Sequence, residues 1–236
     1  MPADEDILSN GLLELCQSDQ VIASLVTPRL DVIITLLEKY ISLIERYNPT
    51  LSLVGTNDRR ELMVRHILDS LAPLGIIARQ NNGLHIADIG SGAGFPGIPL
   101  AITLPDVHFT LIERKNRRAD FLRNTQAALA AEGSNSLCNV TVEEAEMEKV
   151  TPRRFSLVTF RALCPLEPKI YKKISRLCAD GGILAAYKGR RQKTEDEITA
   201  LEKKLPVLTG RWELLPCPVP MLDEERHLLL IKPSCR

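Results

Sequence analysis

Leu84-His-Ile-Ala-Asp-Ile-Gly-Ser-Gly-Ala-Gly-Phe-Pro-Gly97 decides how this chain is read: a short apolar run, one acid, then four glycines within eight positions. An apolar run holding Ile86 and Ile89 that breaks off at glycine reads as a buried parallel strand entering a tight turn. Glycine permits positive φ and lets a ligand lie almost against the backbone. Pro96 and Pro99 suit the first turn of a following helix, whose unpaired N–H groups face back toward that ligand. The turn is therefore expected to bind a cofactor, although a glycine cluster behind a strand also occurs as a plain tight turn. Two registers stay open. Gly92, Gly94 and Gly97 fit the G-x-G-x-x-G spacing of dinucleotide sites, and Asp88 with Gly90, Gly92 and Gly94 fits the acidic-G-x-G-x-G pattern of S-adenosylmethionine sites.

Outward from that stretch, 236 residues suffice for one α/β core plus an appendage, and 44% hydrophobic with 25% charged residues is a soluble globular composition. No apolar run is expected to reach the roughly 20 residues of a membrane helix, and Met1-Pro-Ala-Asp-Glu-Asp6 is acidic where a signal peptide is basic. A cytoplasmic monomer without membrane contact is the expectation. Cys16, Cys138, Cys164, Cys178, Cys217 and Cys235 are scattered, with no C-x-x-C pair, so thiols are expected rather than zinc or disulfides. The 30 basic and 30 acidic residues cancel, but Arg114, Lys115, Arg117, Arg118 and Arg123 cluster, as do Lys188, Arg190, Arg191 and Lys193. Such clusters are commonly solvated helix faces; a local basic patch is the alternative.

Along the chain, residues 5–26 read as helix, and Thr27-Pro28 as cap and first turn of the next. That helix carries Leu30, Ile33, Ile34, Leu37, Ile41 and Ile44 at three- and four-residue steps and is expected to stop at Asn48-Pro49. Asp58 and Glu61 open a third helix bearing His66 and Asp69. From Leu84 the rhythm becomes strand, helix, strand: strands at 84–89, 107–112, 138–142, 155–160 and 183–187, with helices at 115–132, stopped by Gly133, and at 167–180, stopped by Gly181-Gly182. Such alternation builds a parallel sheet covered on both faces. After a charged helix at 194–204, the strands 212–215 and 227–231 are joined by a link too short for a crossover helix, so they should pair antiparallel. A dinucleotide domain would continue β-α-β here; a terminal hairpin favours the methyltransferase version of the fold.

Met63-Val-Arg-His-Ile-Leu-Asp-Ser-Leu71, Asp88-Ile-Gly-Ser-Gly-Ala-Gly-Phe-Pro-Gly-Ile-Pro-Leu100, Arg161-Ala, Lys188-Gly189 and Glu225-Arg-His227 together resemble the RsmG (GidB) family of bacterial small-subunit rRNA guanine-N7 methyltransferases. The similarity runs from about Asp31 nearly to the end. It implies an α/β class I S-adenosylmethionine-dependent methyltransferase fold: a seven-stranded, mostly parallel sheet with an antiparallel C-terminal hairpin, residues 81–236, carrying a helical extension, residues 1–80. The implied cofactor is S-adenosyl-L-methionine, and the implied partner is 16S rRNA, at a guanosine in a loop near the decoding region, free or within the small ribosomal subunit or its assembly intermediate.

The chemistry then assigns roles. The methionine end of the cofactor would lie over Gly90 to Gly94, and Glu113, closing the second strand beside Arg114 and Lys115, would accept from both ribose hydroxyls; its alternative is a surface acid opening a helix. By resemblance Phe95, Arg161 and Ala145 with Glu146 border the cofactor, the last two beside adenine, in a register that the acids Glu143 to Glu148 could shift by one. Guanine N7 already carries an in-plane lone pair, so no general base and no catalytic residue beyond positioning groups is expected. Cys164, placed where a nucleophilic thiol would suggest cytosine-C5 chemistry, is read as inert. Arg65, His66, Arg117, Arg118, Lys188 and Arg226 should emerge at the carboxyl edge of the sheet to grip phosphate, with one bonding to guanine O6. Against this, Arg65 can pair with Asp69 and His66 can be a core histidine. Phe95 and Tyr187 are the candidate stacking platforms for a base from a single-stranded loop. Two other classes remain: a nicotinamide-dependent oxidoreductase using the Gly92, Gly94, Gly97 register, and a non-catalytic ribosome-binding protein.

Overall fold

Ahead of the glycine turn lies a helical layer, seen in a computed structural model that describes residues 4–80, 85–131, 137–163 and 165–233. Leu84, Gly133 and Cys164 fall outside the described residues. Helices α1 (Asp4–Ser18) and α2 (Gln20–Val26) are separated at Asp19, whose side chain caps α2 by accepting from the Val21 N–H. Thr27 does not cap the next helix: residues Thr27–Arg29 form a 3₁₀ turn, and α3 (Leu30–Leu51) starts after it. Nor does α3 stop at Asn48-Pro49. A proline this close to a helix end removes only one late hydrogen bond, and buried Asn48 fixes the exit by donating to Thr56 O and accepting from Val54 N–H, both at 2.9 Å. By length and composition the stretch Gln20–Leu51 is apolar enough to cross a membrane, which corrects the expectation from the sequence. Its apolar stripe, Ile33, Leu36, Leu37, Tyr40, Ile41 and Ile44, is buried in the protein core.

The third helix arrives in pieces. Short α4 (Arg59–Glu61), capped by Asp58, runs into a π-helical stretch Leu62–Leu68 and then α5 (Asp69–Leu71), with α6 (Leu74–Gln80) closing the layer. The wide turns, in which the Asp69 N–H reaches Val64 O, turn Arg65 and His66 toward the sheet edge; such stretches concentrate at functional sites.

The sheet follows: β1 (His85–Ile89), α7 (Gly97–Thr103), β2 (His108–Glu113), α8 (Asn116–Ala130), β3 (Val140–Glu144), β4 (Phe155–Arg161), α9 (Pro168–Ser175), β5 (Cys178–Lys188), α10 (Arg191–Lys204), β6 (Trp212–Pro216) and β7 (His227–Ile231). Its order is β3-β2-β1-β4-β5-β7-β6, parallel except where β7 pairs antiparallel with β5 and β6. Gly181-Gly182 do not stop a helix. They lie inside β5, where Gly181 takes φ +76° and the register against β4 jumps between Cys178 and Ile183. A glycine within a strand marks a bulge as readily as an end.

Period-two alternation splits the core between the two faces. Leu157, Leu228 and Leu230 pack with the N-terminal helices and α7; Val158, Leu229 and Ile231 pack under α9 and α10. At roughly 1.5–3 kcal/mol per fully buried aliphatic side chain, both layers are held firmly. Between β1 and β4 the chain changes direction across the sheet, which opens a crevice beyond the strand ends, the usual ligand position in such folds.

Candidate active site

On the β1 side of that crevice, Gly90, Gly92 and Gly94 adopt φ of +69°, +59° and +105°. A β-carbon at Gly94 would stand 2.5 Å from Ile98 Cδ1 and 2.9 Å from Tyr40 Oη, whereas one at Gly92 would meet nothing nearer than 3.8 Å. The turn is therefore packed tightly from below and open above. Three side chains hold its shape. Tyr40 donates to Ala93 O at 2.7 Å. Glu113, 4% exposed, accepts from the Gly92 N–H at 3.0 Å and the Lys115 N–H at 2.8 Å. Asp88 accepts from the Gly97 N–H at 3.1 Å and so ties the start of α7 to the end of β1. Burial pushes the Asp88 carboxyl up to about 7, and its Oδ1 is buried without a partner. Each Glu113 oxygen keeps a second lone pair, so the carboxylate can still accept from a diol, and the open glycine turn leaves backbone for a ligand to lie on. These features fit an adenosyl cofactor.

Beyond β4 and β5 lies a cavity of about 910 Å³ lined by Arg65, His66, Arg161, Lys188, Arg190 and Arg226, with Leu163 among its walls. Leu163 also stands over the glycine turn: a β-carbon on Gly90 would lie 2.8 Å from its Cδ1. Buried Asp69 organises one wall. Its Oδ2 accepts from Arg161 Nη1 at 2.8 Å and its Oδ1 from Arg226 Nε at 3.0 Å. Arg161 also lies over the Phe95 ring at 5.0 Å. Glu224 pairs with both Arg65, at 2.5 Å, and Arg226, at 3.0 Å. Lys188 pairs with Glu197 at 2.7 Å, and the same Glu197 oxygen accepts from the Leu166 N–H.

Residues 33–228 match the family model GidB, described as rRNA small subunit methyltransferase G. The chain belongs to that family. Similar relatives include the ribosomal RNA small subunit methyltransferase G of Treponema pallidum, 38% identical with 85% of each chain covered, and that of Treponema denticola, 34% identical with 97% of this chain and 96% of the relative covered. In fold the chain is similar to a crystal structure of an S-adenosylmethionine-dependent methyltransferase from Aquifex aeolicus, with a TM-score of 0.51 at 15% identity, covering 70% of this chain and 93% of the other.

Within this GidB-family chain, the structure gathers some of the residues singled out by sequence and separates others. Arg65, His66, Arg161, Lys188 and Arg226 share the cavity, while Arg117 and Arg118 do not line it. Arg118 donates to Ser52 O at 3.0 Å, and Arg117 stands exposed on α8. Arg65 pairs with Glu61 and Glu224, not with Asp69. His66 is half-buried rather than a core histidine, its ring stacked on Phe95 at 5.0 Å and 30°. That stack and Arg161 cover Phe95, so its ring is not a free platform for a base, whereas Tyr187 lines the cavity with its hydroxyl donating to Ser70 O at 2.7 Å. Asp88 is 0% exposed and sits beneath the turn instead of facing a ligand. Arg114 and Glu146 are exposed, and half-buried Ala145 takes the register position at which its N–H donates to Glu113 O at 3.2 Å. Sequence alone missed Tyr40, Glu197 and Glu224, ordinary helix and loop positions without any motif. Asp69 stood within the quoted block Met63 to Leu71 and was given no role beyond pairing with Arg65; its position one helical turn from two basic residues was the available signal.

Proposed function

We propose that this chain transfers a methyl group to N7 of a guanine in 16S rRNA. Its membership of the family makes it an S-adenosylmethionine-dependent methyltransferase of small-subunit rRNA; the acceptor atom and the residue roles are inferred from the geometry of the site. The observation that carries it is the juxtaposition of an open glycine turn, closed by a buried carboxylate, with a basic cavity that shares Leu163 as a wall.

When bound, S-adenosylmethionine supplies an electrophilic methyl on a sulfonium. Glu113 would hold the ribose diol, and the bare backbone of Gly90 to Gly94 would receive the methionine end, with Ala145 and Glu146 toward adenine. Arg65, Lys188, Arg190 and Arg226 would hold phosphate, contacts that fix position without reading sequence. Transfer to the N7 lone pair would form the N–CH₃ bond as the C–S bond breaks, giving 7-methylguanine with a positive charge and S-adenosylhomocysteine, and would require no proton to be removed. The cavity suits such chemistry, because its carboxylates Glu61, Asp69 and Glu197 each face a guanidinium or ammonium. None stands free to act as a base, and the rate enhancement is expected from alignment. The test is transfer of labelled methyl from S-adenosylmethionine to 16S rRNA lacking the modification, followed by hydrolysis to nucleosides. Label in 7-methylguanosine supports the reading; label in another nucleoside, or none, refutes it.

A further inference from the structure

His66 has one ring nitrogen committed. Arg161 Nη2 lies 3.0 Å from its Nδ1, and a guanidinium only donates, so Nδ1 must carry the lone pair. Arg161 is itself fixed by Asp69 Oδ2 at 2.8 Å, by Arg65 O at 3.3 Å and by the face of Phe95. The neutral ring therefore has its proton on Nε2, and no acceptor among the described residues takes that proton. Burial first, then the neighbouring Arg161 and Arg65, lowers the His66 pKa to about 4, so the ring stays neutral near pH 7. The side chain is half-buried and lines the cavity. A neutral donor of fixed tautomer, stacked so that it cannot swing, is what a site needs to read one acceptor on a base.

We propose that the Nε2–H of His66 donates to O6 of the acceptor guanine, and that Asp69 and Arg161 are positioning residues that fix its tautomer. O6 is the edge atom beside N7 in guanine, whereas adenine presents an N6 amino group at that place, which would set donor against donor. The assignment rests on the guanine reading above and adds to it the group that selects the base.

The experiment compares methyl transfer to 16S rRNA whose target guanosine is intact, replaced by inosine, which keeps O6, or replaced by 2-aminopurine riboside, which lacks it. Wild type should accept guanosine and inosine alike and lose at least about tenfold in kcat/KM on 2-aminopurine, since a site built to bond an oxygen rejects the analogue without it. His66→Phe, which keeps the stack on Phe95, should be slower on guanosine and show little further loss on 2-aminopurine. Asp69→Asn should reduce the discrimination while leaving a folded protein by thermal melt. Should His66→Phe transfer no methyl, fluorescence anisotropy of its binding to the same RNAs supplies the ratio. Equal discrimination by wild type and His66→Phe, or no discrimination by wild type, overturns the assignment while leaving guanine methylation standing. No transfer to guanosine or inosine RNA by wild type overturns the guanine reading and this assignment with it.

Discussion

Replacing Glu113 by alanine removes the carboxylate that closes the glycine turn. In the protein alone it accepts two backbone N–H bonds, at 3.0 Å from Gly92 and 2.8 Å from Lys115, from a position only 4% exposed. The donors sit on half-buried Gly92 and exposed Lys115, where water can replace the carboxylate, so losing both bonds should cost on the order of 1–3 kcal/mol of stability, at about 0.5–1.5 kcal/mol for each. At roughly 2–4 °C per kcal/mol for a chain of this length, the melting temperature should drop by about 2–12 °C. The same carboxylate is assigned to the ribose diol, and a lost charge-assisted contact is worth about 1.5–3 kcal/mol. S-adenosylhomocysteine should therefore bind roughly ten- to 150-fold more weakly. Glu113→Gln keeps one acceptor oxygen but turns an amide against the other donor, and should fall between wild type and alanine in both quantities. Calorimetric titration below the melting transition reads the affinity, and scanning calorimetry the stability. A folded Glu113→Ala protein that binds S-adenosylhomocysteine within twofold of wild type would remove Glu113 from the cofactor site and undo the assignment of the turn.

Further outcomes follow from the same geometry. Gly97→Ala would set a β-carbon 2.3 Å from Leu111 Cδ2 and 2.8 Å from Asp88 Oδ2, so urea unfolding should show a loss of about 1–3 kcal/mol from overpacking. Arg226→Ala should spare cofactor affinity while weakening RNA binding and lowering its log-log salt slope by about one, measured by filter binding across salt concentrations; an unchanged slope would mean that Arg226 touches no phosphate. Arg226→Ala takes a partner from buried Asp69 and Lys188→Ala takes the ammonium from Glu197, so part of each effect should appear as lost stability, and Lys188→Ala with Glu197→Gln should recover that part for the lysine. Asp88 has its carboxyl raised from 3.8 to about 7 by burial, so the folded protein holds a proton that the unfolded chain has released. Wild type should therefore lose stability relative to Asp88→Asn as pH rises from about 4 to 7, on the order of 1–4 kcal/mol in all; parallel stability curves for the two proteins would show that the buried acid does not titrate there.

The fold was legible wherever period and punctuation agreed. Ile86 and Ile89 running into glycine placed β1, and the short link between residues 216 and 227 required the antiparallel hairpin observed between β6 and β7. Misreadings arose where a residue type has two structural uses. Pro49 can end a helix or ride in its last turn, and buried Asn48 decides for the second through contacts six to nine residues away. Gly181-Gly182 can stop a helix or bulge a strand, and pairing with β4, invisible to local pattern, decides that as well. Much the same holds at the site. Glu113 was marked by its place at a strand end, while Tyr40, which supports Ala93 from 53 positions earlier, carries no local signal at all. Charge clustering pointed to Arg117 and Arg118 as strongly as to Lys188; the course of α8 leaves the first pair off the cavity lining.

A crystal structure of the protein with S-adenosylhomocysteine and an RNA carrying the target guanosine tests the central claim most directly. The ribose hydroxyls should bond to Glu113, the sulfur should lie at the glycine turn, and the guanine should fill the basic cavity with N7 aimed at the sulfur. A cofactor bound away from the turn, or a base presenting another atom to the sulfur, would contradict the account.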